Sequence, residues 1–372
     1  MRERTTLITG GAGFIGSHLS DELLAHGYRV RALDNLDPQV HPGSGRPSYL
    51  SSRVELFEGD VRDRDVLEEA LDGVDSVVHL AAAVGVGQSM YEIERYTSVN
   101  SLGTATLLEA LLDRPSISLV VASSMSIYGE GLYRAPSGEI VEDAERRTSD
   151  LERGEWELLG EDRAPLTPIP TPETKRPAIS SIYALTKYDQ ERMCLVWGRA
   201  YQRPVVALRF FNVYGPRQAL SNPYTGVLAI FASRYLNDRS PVVYEDGRQM
   251  RDFVCVHDVA RACRLALESE RAAGGVYNIG SGSPASVGEI ADRLRRVLGK
   301  ESIAPKISGR YRAGDVRHCF ADIERARRDL GYEPQVGLEE GMRELAKWLR
   351  GESAIDRTEA ANLELVKRGL AR

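Results

Sequence analysis

Tyr183 and Lys187 stand four residues apart in a stretch patterned as a helix, so both side chains project from one face. An ammonium near a phenol favours the phenolate, which makes Tyr183 a candidate general base usable near neutral pH. A Tyr and a Lys at this spacing also occur as an ordinary surface pair. The run Ser123-Ser124-Met125-Ser126-Ile127-Tyr128-Gly129 follows a β-rich segment and so opens at the carboxyl edge of a sheet, where ligands bind in doubly wound folds. From there a hydroxyl on Ser124 can bond the same substrate oxygen that Tyr183 deprotonates. Serines after a strand are otherwise plain turn formers, and Ser123 fits that description.

A second group of residues points to a dinucleotide. Thr9-Gly10-Gly11-Ala12-Gly13-Phe14-Ile15-Gly16 lies between a strand and a helix, where glycines allow a tight turn, close approach of a pyrophosphate and close helix–strand packing. The phosphates would rest on the N–H groups and dipole of the helix start. Many such turns carry glycine for packing alone. Here Asp34 ends the second strand, eighteen residues beyond Gly16. Its carboxylate accepts from both ribose hydroxyls and repels a 2′-phosphate, favouring NAD over NADP. Asp60, ahead of Val61, either faces the adenine edge or caps the helix that begins soon after Arg62. His79 reads as a satisfied buried ring. The small residues of Leu80-Ala81-Ala82-Ala83 let the ribose and nicotinamide half lie on the backbone, and an oxidised nicotinamide ring there would add to the pull on the Tyr183 proton.

These residues need a scaffold, and the chain supplies its pattern. Thr5–Thr9, Arg29–Leu33, Val54–Glu58, Ser76–Leu80 and Leu119–Ser123 read as strands separated by crossover helices, which predicts an α/β fold, a Rossmann-type doubly wound parallel sheet. Phe14 to His26 forms a helix closed by Gly27, and Leu102, Ala105, Leu108 and Leu112 share a helical face. Glu130 to Pro177 is rich in charge and proline and reads as a long loop or lid. Tyr183–Tyr201 (helix) and Val205–Phe210 (strand) resume the alternation. From Gly226 onward, Pro241–Tyr244 and Val276–Ile279 interleave with helices at Val259–Leu267, Val287–Leu298 and Leu338–Leu349, a smaller C-terminal α/β part expected to finish the sheet. The division is therefore 1–182 for the dinucleotide half with its insertion at 130–177, 183–350 for the catalytic helix, remaining sheet and substrate part, and 351–372 for a tail. That tail is either an amphipathic helix or a solvated terminus.

Composition narrows the class. A chain of 372 residues with net charge −6 and 27% charged residues has the balance of a globular enzyme, and nucleic acid is not an expected partner. The longest apolar stretch, Val77 to Val84, is far short of the roughly 18 residues that span a bilayer, so no membrane segment or secretion signal is expected. Cys194, Cys255, Cys263 and Cys319 are scattered, and the insertion holds none, so no metal site is expected and a reducing cytoplasm is the expected compartment.

Taken together, the glycine turn, Asp34, Asp60-Val61, Leu80-Ala81-Ala82, Asn100, the Ser124 segment, Tyr183-x-x-x-Lys187, Phe211-Asn212-Val213-Tyr214-Gly215-Pro216-Arg217 and Arg251-Asp252-Phe253-Val254 resemble the extended short-chain dehydrogenase/reductase superfamily, and within it the NAD-dependent nucleotide-sugar epimerases and dehydratases. The resemblance runs to about Leu349. It implies NAD on Gly10, Gly13, Phe14, Ile15, Gly16, Asp34, Asn35, Asp60, Val61, Leu80, Ala81, Ala82 and Asn100, with Tyr183 as base and Lys187 beside it. It also implies Ser124 and Ser126 near the sugar, and a nucleotide diphosphate held by Asn212, Arg251, Arg312 and Asp315. Arginines suit the diphosphate charge, and a carboxylate such as Asp315 suits a ribose diol. Arg251 and Arg312 read equally as partners in surface ion pairs. Tyr244 either stacks on the base or is a core strand tyrosine.

Members of that family share an oxidation at the sugar and then diverge. Dehydratases carry acid residues where Met125 and Ser126 stand, and decarboxylases a Glu at Ser126, so both readings are weakened. A 4-epimerase needs one Tyr, one Lys, one Ser and a retained NAD. Uronic-acid 4-epimerases usually carry Thr at Asn212, which favours a neutral hexose, an N-acetylhexosamine or a 6-deoxyhexose. Leu33 to His41 and Val84 to Tyr91 look most like a subgroup described as dTDP-L-rhamnose 4-epimerases. UDP-hexose and UDP-N-acetylhexosamine 4-epimerases are the alternative, and a non-catalytic NAD-sensing scaffold is the different class. Relatives pair as homodimers through the helices around Leu102–Leu112 and Tyr183–Tyr201, which predicts the same here.

Overall fold

The computed structural model describes residues 4–41, 43, 45–224, 226–312, 315–352 and 355–370. All five residues of Thr5–Thr9 (β1) are buried, as a parallel strand covered on both faces requires. Around it stand Arg29–Asp34 (β2), Glu55–Glu58 (β3), Ser76–His79 (β4), Ser118–Ser124 (β5), Val205–Phe210 (β6) and Val276–Ile279 (β7). They form one parallel sheet in the order β7-β6-β5-β4-β1-β2-β3. The chain builds outward from β1 to β3, then returns to the other side of β1 with β4. That reversal opens a crevice at the carboxyl ends of β1 and β4, the ligand position of doubly wound sheets. Register brings Thr9, Leu33 and His79 level at this edge.

Helices cover both faces. On one, Leu19 and Leu23 of the Phe14–Ala25 helix pack with Val259 and Cys263 of the Val256–Glu268 helix. On the other, Leu67, Leu107, Leu111 and Trp197 close over Leu7, Val77 and Leu119. Gly27, at φ +80°, follows the first helix where a left-handed residue is needed to leave it. Asp63, not Asp60, caps the Arg64–Ala70 helix, accepting from the amides of Asp65 and Val66.

Three expectations change. The insertion is not a loop: Leu132–Arg134, Ile140–Val141 and Thr167–Ile169 pair as a three-stranded antiparallel sheet over a small core of Tyr133, Leu158 and Leu166. Of the C-terminal strands only β7 finishes the main sheet. Asn212–Tyr214, Met250–Cys255, Pro284–Ser286 and His318–Cys319 form a separate sheet, and Val242–Val243 pairs with Lys306–Ile307. Leu102 and Leu112 are exposed, because Leu107, Ala110 and Leu111 supply the inward face of the Gly103–Ala110 helix. That helix is preceded by a π-helical turn, Thr97–Leu102. The tail forms a helix, Thr358–Lys367, with Ala361 and Leu365 buried. No helix among the described residues is long and apolar enough to cross a membrane.

Candidate active site

Gly10 closes the turn after β1 at φ +71°, and a Cβ there would lie 2.9 Å from the amide nitrogen of Ala81, so the ends of β1 and β4 meet at glycine. Gly16 packs the helix against the same turn: a Cβ would come 2.3 Å from the carbonyl oxygen of Gly10. Gly13 is the N-cap of Phe14–Ala25 and brings no side-chain acceptor to it, which leaves first-turn amides near Phe14 and Ile15 for a phosphate. Asp34 is fixed beside this turn, its carboxylate accepting from Ala12 N and Leu36 N at 3.0 Å each. Each oxygen keeps a lone pair for a ribose hydroxyl. A glycine cradle, open helix amides and a carboxylate at the second strand end fit NAD.

Asn35 donates to Asp60 at 3.1 Å, and Arg62 also grips Asp60, so this carboxyl titrates below its usual range, chiefly through the Arg62 hydrogen bond. Val61 turns inward, within contact of Gly103 on the next helix. Asn100 sits behind the cleft rather than facing it. Its amide oxygen accepts from Ala83 N at 2.7 Å, and its nitrogen donates to Ala83 O and Thr186 Oγ1, so it shapes the Leu80–Ala83 backbone and has no donor left for a cofactor. Its direct role toward NAD is corrected accordingly.

Ser124 ends β5 and caps the short 3₁₀ helix Met125–Tyr128, accepting from the amide of Ser126 at 3.2 Å and its hydroxyl at 2.9 Å. It also hydrogen-bonds the phenol of Tyr183. Tyr183 opens the Ile182–Ala200 helix, with its amide held by Ser89 Oγ at 3.0 Å. Burial raises the phenol above its ordinary pKa, and the Ser124 contact opposes that. The ammonium of Lys187 does not neutralise this shift, because Lys187 points into the protein, donates to Gln190 at 2.8 Å, and is itself pushed down to about 8 by burial.

Sequence reasoning missed what holds these groups. Gln190 donates to Thr104 at 2.8 Å, while His79 bridges Thr9 (2.7 Å) and Thr104 (2.9 Å). His79 is a satisfied buried ring, held neutral with a pKa lowered to about 3 by burial and then by Lys187. Ser123 is a strand residue rather than a turn former; it donates to Glu191 at 2.7 Å, and Glu191 pairs with buried Arg209 at 2.7 Å. Glu191 lies one turn beyond Lys187 on the helix, and that spacing was the available signal.

The proposed nucleotide residues gather in the C-terminal part. The amide oxygen of Asn212 is buried without a protein partner, an acceptor a ligand can satisfy. Arg251 spends donors on the carbonyls of Val316 and Arg317 and lies 3.6 Å from Asp315, an internal ion pair. Arg312 forms no ion pair; it stacks on Tyr244 at 4.2 Å, and its Nε is buried without a partner. Tyr244 is therefore at a site wall rather than in a core. Residues 313 and 314, between Arg312 and Asp315, lie outside the described residues.

Comparison with known proteins agrees with this arrangement. Residues 6–150 and 159–280 match the model of the NAD dependent epimerase/dehydratase family. A dTDP-L-rhamnose 4-epimerase of Burkholderia thailandensis is 37% identical over 93% of this chain and 95% of its own. The UDP-glucose 4-epimerase of Thermotoga maritima, solved with UDP-glucose, superposes with a TM-score of 0.75 at 31% identity, covering 93% of this chain and 98% of that one. The Thermus thermophilus UDP-glucose 4-epimerase, solved with NAD, gives 0.72 at 32% identity, covering 93% and 99%.

Proposed function

Because the chain belongs to the NAD-dependent epimerase/dehydratase family, we propose that it is a nucleotide-sugar 4-epimerase acting on a dTDP-6-deoxyhexose of the L-rhamnose/L-talose type. The observation that carries the chemistry is the hydrogen bond between Ser124 and Tyr183 at the mouth of the sheet, with Met125 and Ser126, neither of them an acid, as the next residues. NAD bound on the glycine turn and Asp34 supplies a reversible two-electron oxidation at sugar C4. Tyr183 takes the proton of the C4 hydroxyl, and Ser124 holds that oxygen while it becomes a carbonyl. The keto sugar must present its other face before Tyr183 returns the proton to O4, which inverts C4 with no net redox change. Lys187, with a pKa near neutrality, stands one turn along to carry charge near the phenol. Asn212 and Arg312, with unsatisfied buried polar atoms, and Arg251 with Asp315 serve the nucleotide diphosphate.

The sugar assignment rests on the Burkholderia thailandensis relative and on Asn35–His41 and Val84–Tyr91. Incubation with dTDP-L-rhamnose, followed by NMR, is expected to give the C4 epimer. A product lighter by water or carbon dioxide overturns the epimerase reading, and activity on UDP sugars alone overturns only the sugar assignment.

We place the protein in the cytoplasm as a homodimer. Its four cysteines are free and buried. The Gly103–Ala110 and Ile182–Ala200 helices pack side by side, and Leu102, Leu112, Leu185 and Val196 on and beside them are exposed. A two-fold pairing of that face buries them.

A further inference from the structure

The C-terminal helix Thr358–Lys367 spans the two ends of the proposed site. At one end Leu365 packs on Gly87, where a methyl group would lie 3.2 Å from Leu365 Cδ2; two residues on, Ser89 holds the backbone of Tyr183. At the other, Asn362 Oδ1 accepts from Tyr244 Oη at 3.2 Å and from Arg312 Nη2 at 3.3 Å. The helix is anchored by Arg234, which reaches Asp356 and Glu359 at 2.9 Å each. Arg368 lies over the ring of Tyr91, 4.4 Å from its centroid, and Tyr91 bonds Tyr224 at 2.5 Å.

A guanidinium has donors only, so the Asn362 atom facing Arg312 must be the carbonyl oxygen. The amide orientation is thereby fixed, and among the described residues the amide nitrogen donates to no protein acceptor. Beside it lies the Tyr244 ring with Arg312 stacked on it. A donor next to an aromatic platform suits a flat base that offers a carbonyl at its edge.

We propose that this helix is a wall of the nucleotide-sugar site and that Asn362 is a specificity-determining residue, donating from Nδ2 to the 4-carbonyl of a uracil or thymine base. The inference rests on the assignment of Tyr244 and Arg312 to the nucleotide end. Cytosine carries an amino donor at position 4 and meets Asn362 donor to donor, so UDP and dTDP are accepted and CDP is not.

Titration calorimetry of the NAD-loaded full-length protein with dTDP, UDP and CDP tests this. Asn362→Ala is expected to weaken dTDP and UDP about three- to tenfold, the worth of one neutral hydrogen bond, without loss of bound NAD. Asn362→Asp is expected to lose the preference over CDP. Deletion of residues 355–372 is expected to weaken dTDP at least as much. Wild-type affinity in Asn362→Ala and in the deletion overturns the inference, as does tighter binding in the deletion, which would make the helix a plug. Failure of the wild-type protein to bind any of the three overturns the reading of the site as well.

Discussion

The ammonium of Lys187 donates to the amide oxygen of Gln190 at 2.8 Å, and through Gln190 it is tied to Thr104 and His79. The base pair of the active site is thus held from behind by a buried polar chain that starts at the end of β1, with Thr9. Such networks fix geometry only when every member is satisfied.

Gln190 is accordingly a positioning residue. Gln190→Leu removes an acceptor from a buried cation, which lowers the Lys187 pKa further below about 8. The expected result is kcat reduced about tenfold or more with KM little changed, and an alkaline limb of the pH profile displaced to lower pH. An unchanged profile would show that Gln190 is structural only.

Tyr183→Phe and Lys187→Met should abolish turnover by about 10²–10⁴-fold while NAD stays bound, since glycine-turn contacts are untouched. Steady-state rates and cofactor release on denaturation check this. Wild-type turnover in Tyr183→Phe would assign the base elsewhere.

Acid should destabilise the protein early. His79 and His18 are each lowered from 6.5 to about 3 by burial first. Both stay neutral in the fold while the unfolded chain takes up protons below pH 6.5. Their contribution is complete above pH 6.5 and is lost as pH falls toward 3, at about 1.4 kcal/mol per pH unit for each ring. Urea midpoints measured from pH 7 to 5 should fall, and His79→Gln should flatten the slope.

Arg317 has no exposed surface and pairs with Glu245 at 2.9 Å and Asp246 at 2.7 Å, besides Glu157 of the insertion. Arg317→Leu leaves Glu245, itself 1% exposed, short of a partner. A loss of about 3–5 kcal/mol is expected in chemical denaturation, with faster proteolysis inside residues 130–177. A loss under 1 kcal/mol would show that Arg146, the other partner of Glu245, suffices.

Leu185→Asp, in the exposed apolar face shared with Leu102, should give a monomer by light scattering with NAD still bound. A wild-type monomer at micromolar concentration removes the dimer.

The parallel sheet was legible because its strands are buried on both faces and read as unbroken apolar runs; Val205–Phe210 and Val276–Ile279 match to the residue. The glycine turn was legible because Gly10 and Gly16 answer steric demands within the turn itself. The insertion was not, since its strands are two or three residues long and its stability comes from ion pairs with distant partners such as Arg317. Asn100 was misread for a related reason. Its motif position says that it is near the cofactor, whereas only contacts to Ala83 and Thr186 say that it works through the backbone. Gln190 and Thr104 escaped notice because polar residues on a helix look solvated until the opposing side chains are known.

The π-helical turn Thr97–Leu102 makes the active site sensitive to chain length at a place that touches no ligand. A π turn holds one residue more than an α turn. Losing a single residue there would restore ordinary winding and rotate everything downstream by about 100°, one residue's step in an α-helix. Thr104 would then swing away from His79 and Gln190, and the outward leucine at 112 would move with it. The extra residue therefore acts as a phase setting, linking the angular position of an outer helix face to the seating of Lys187, so that at this point a deletion should be far less tolerable than a substitution.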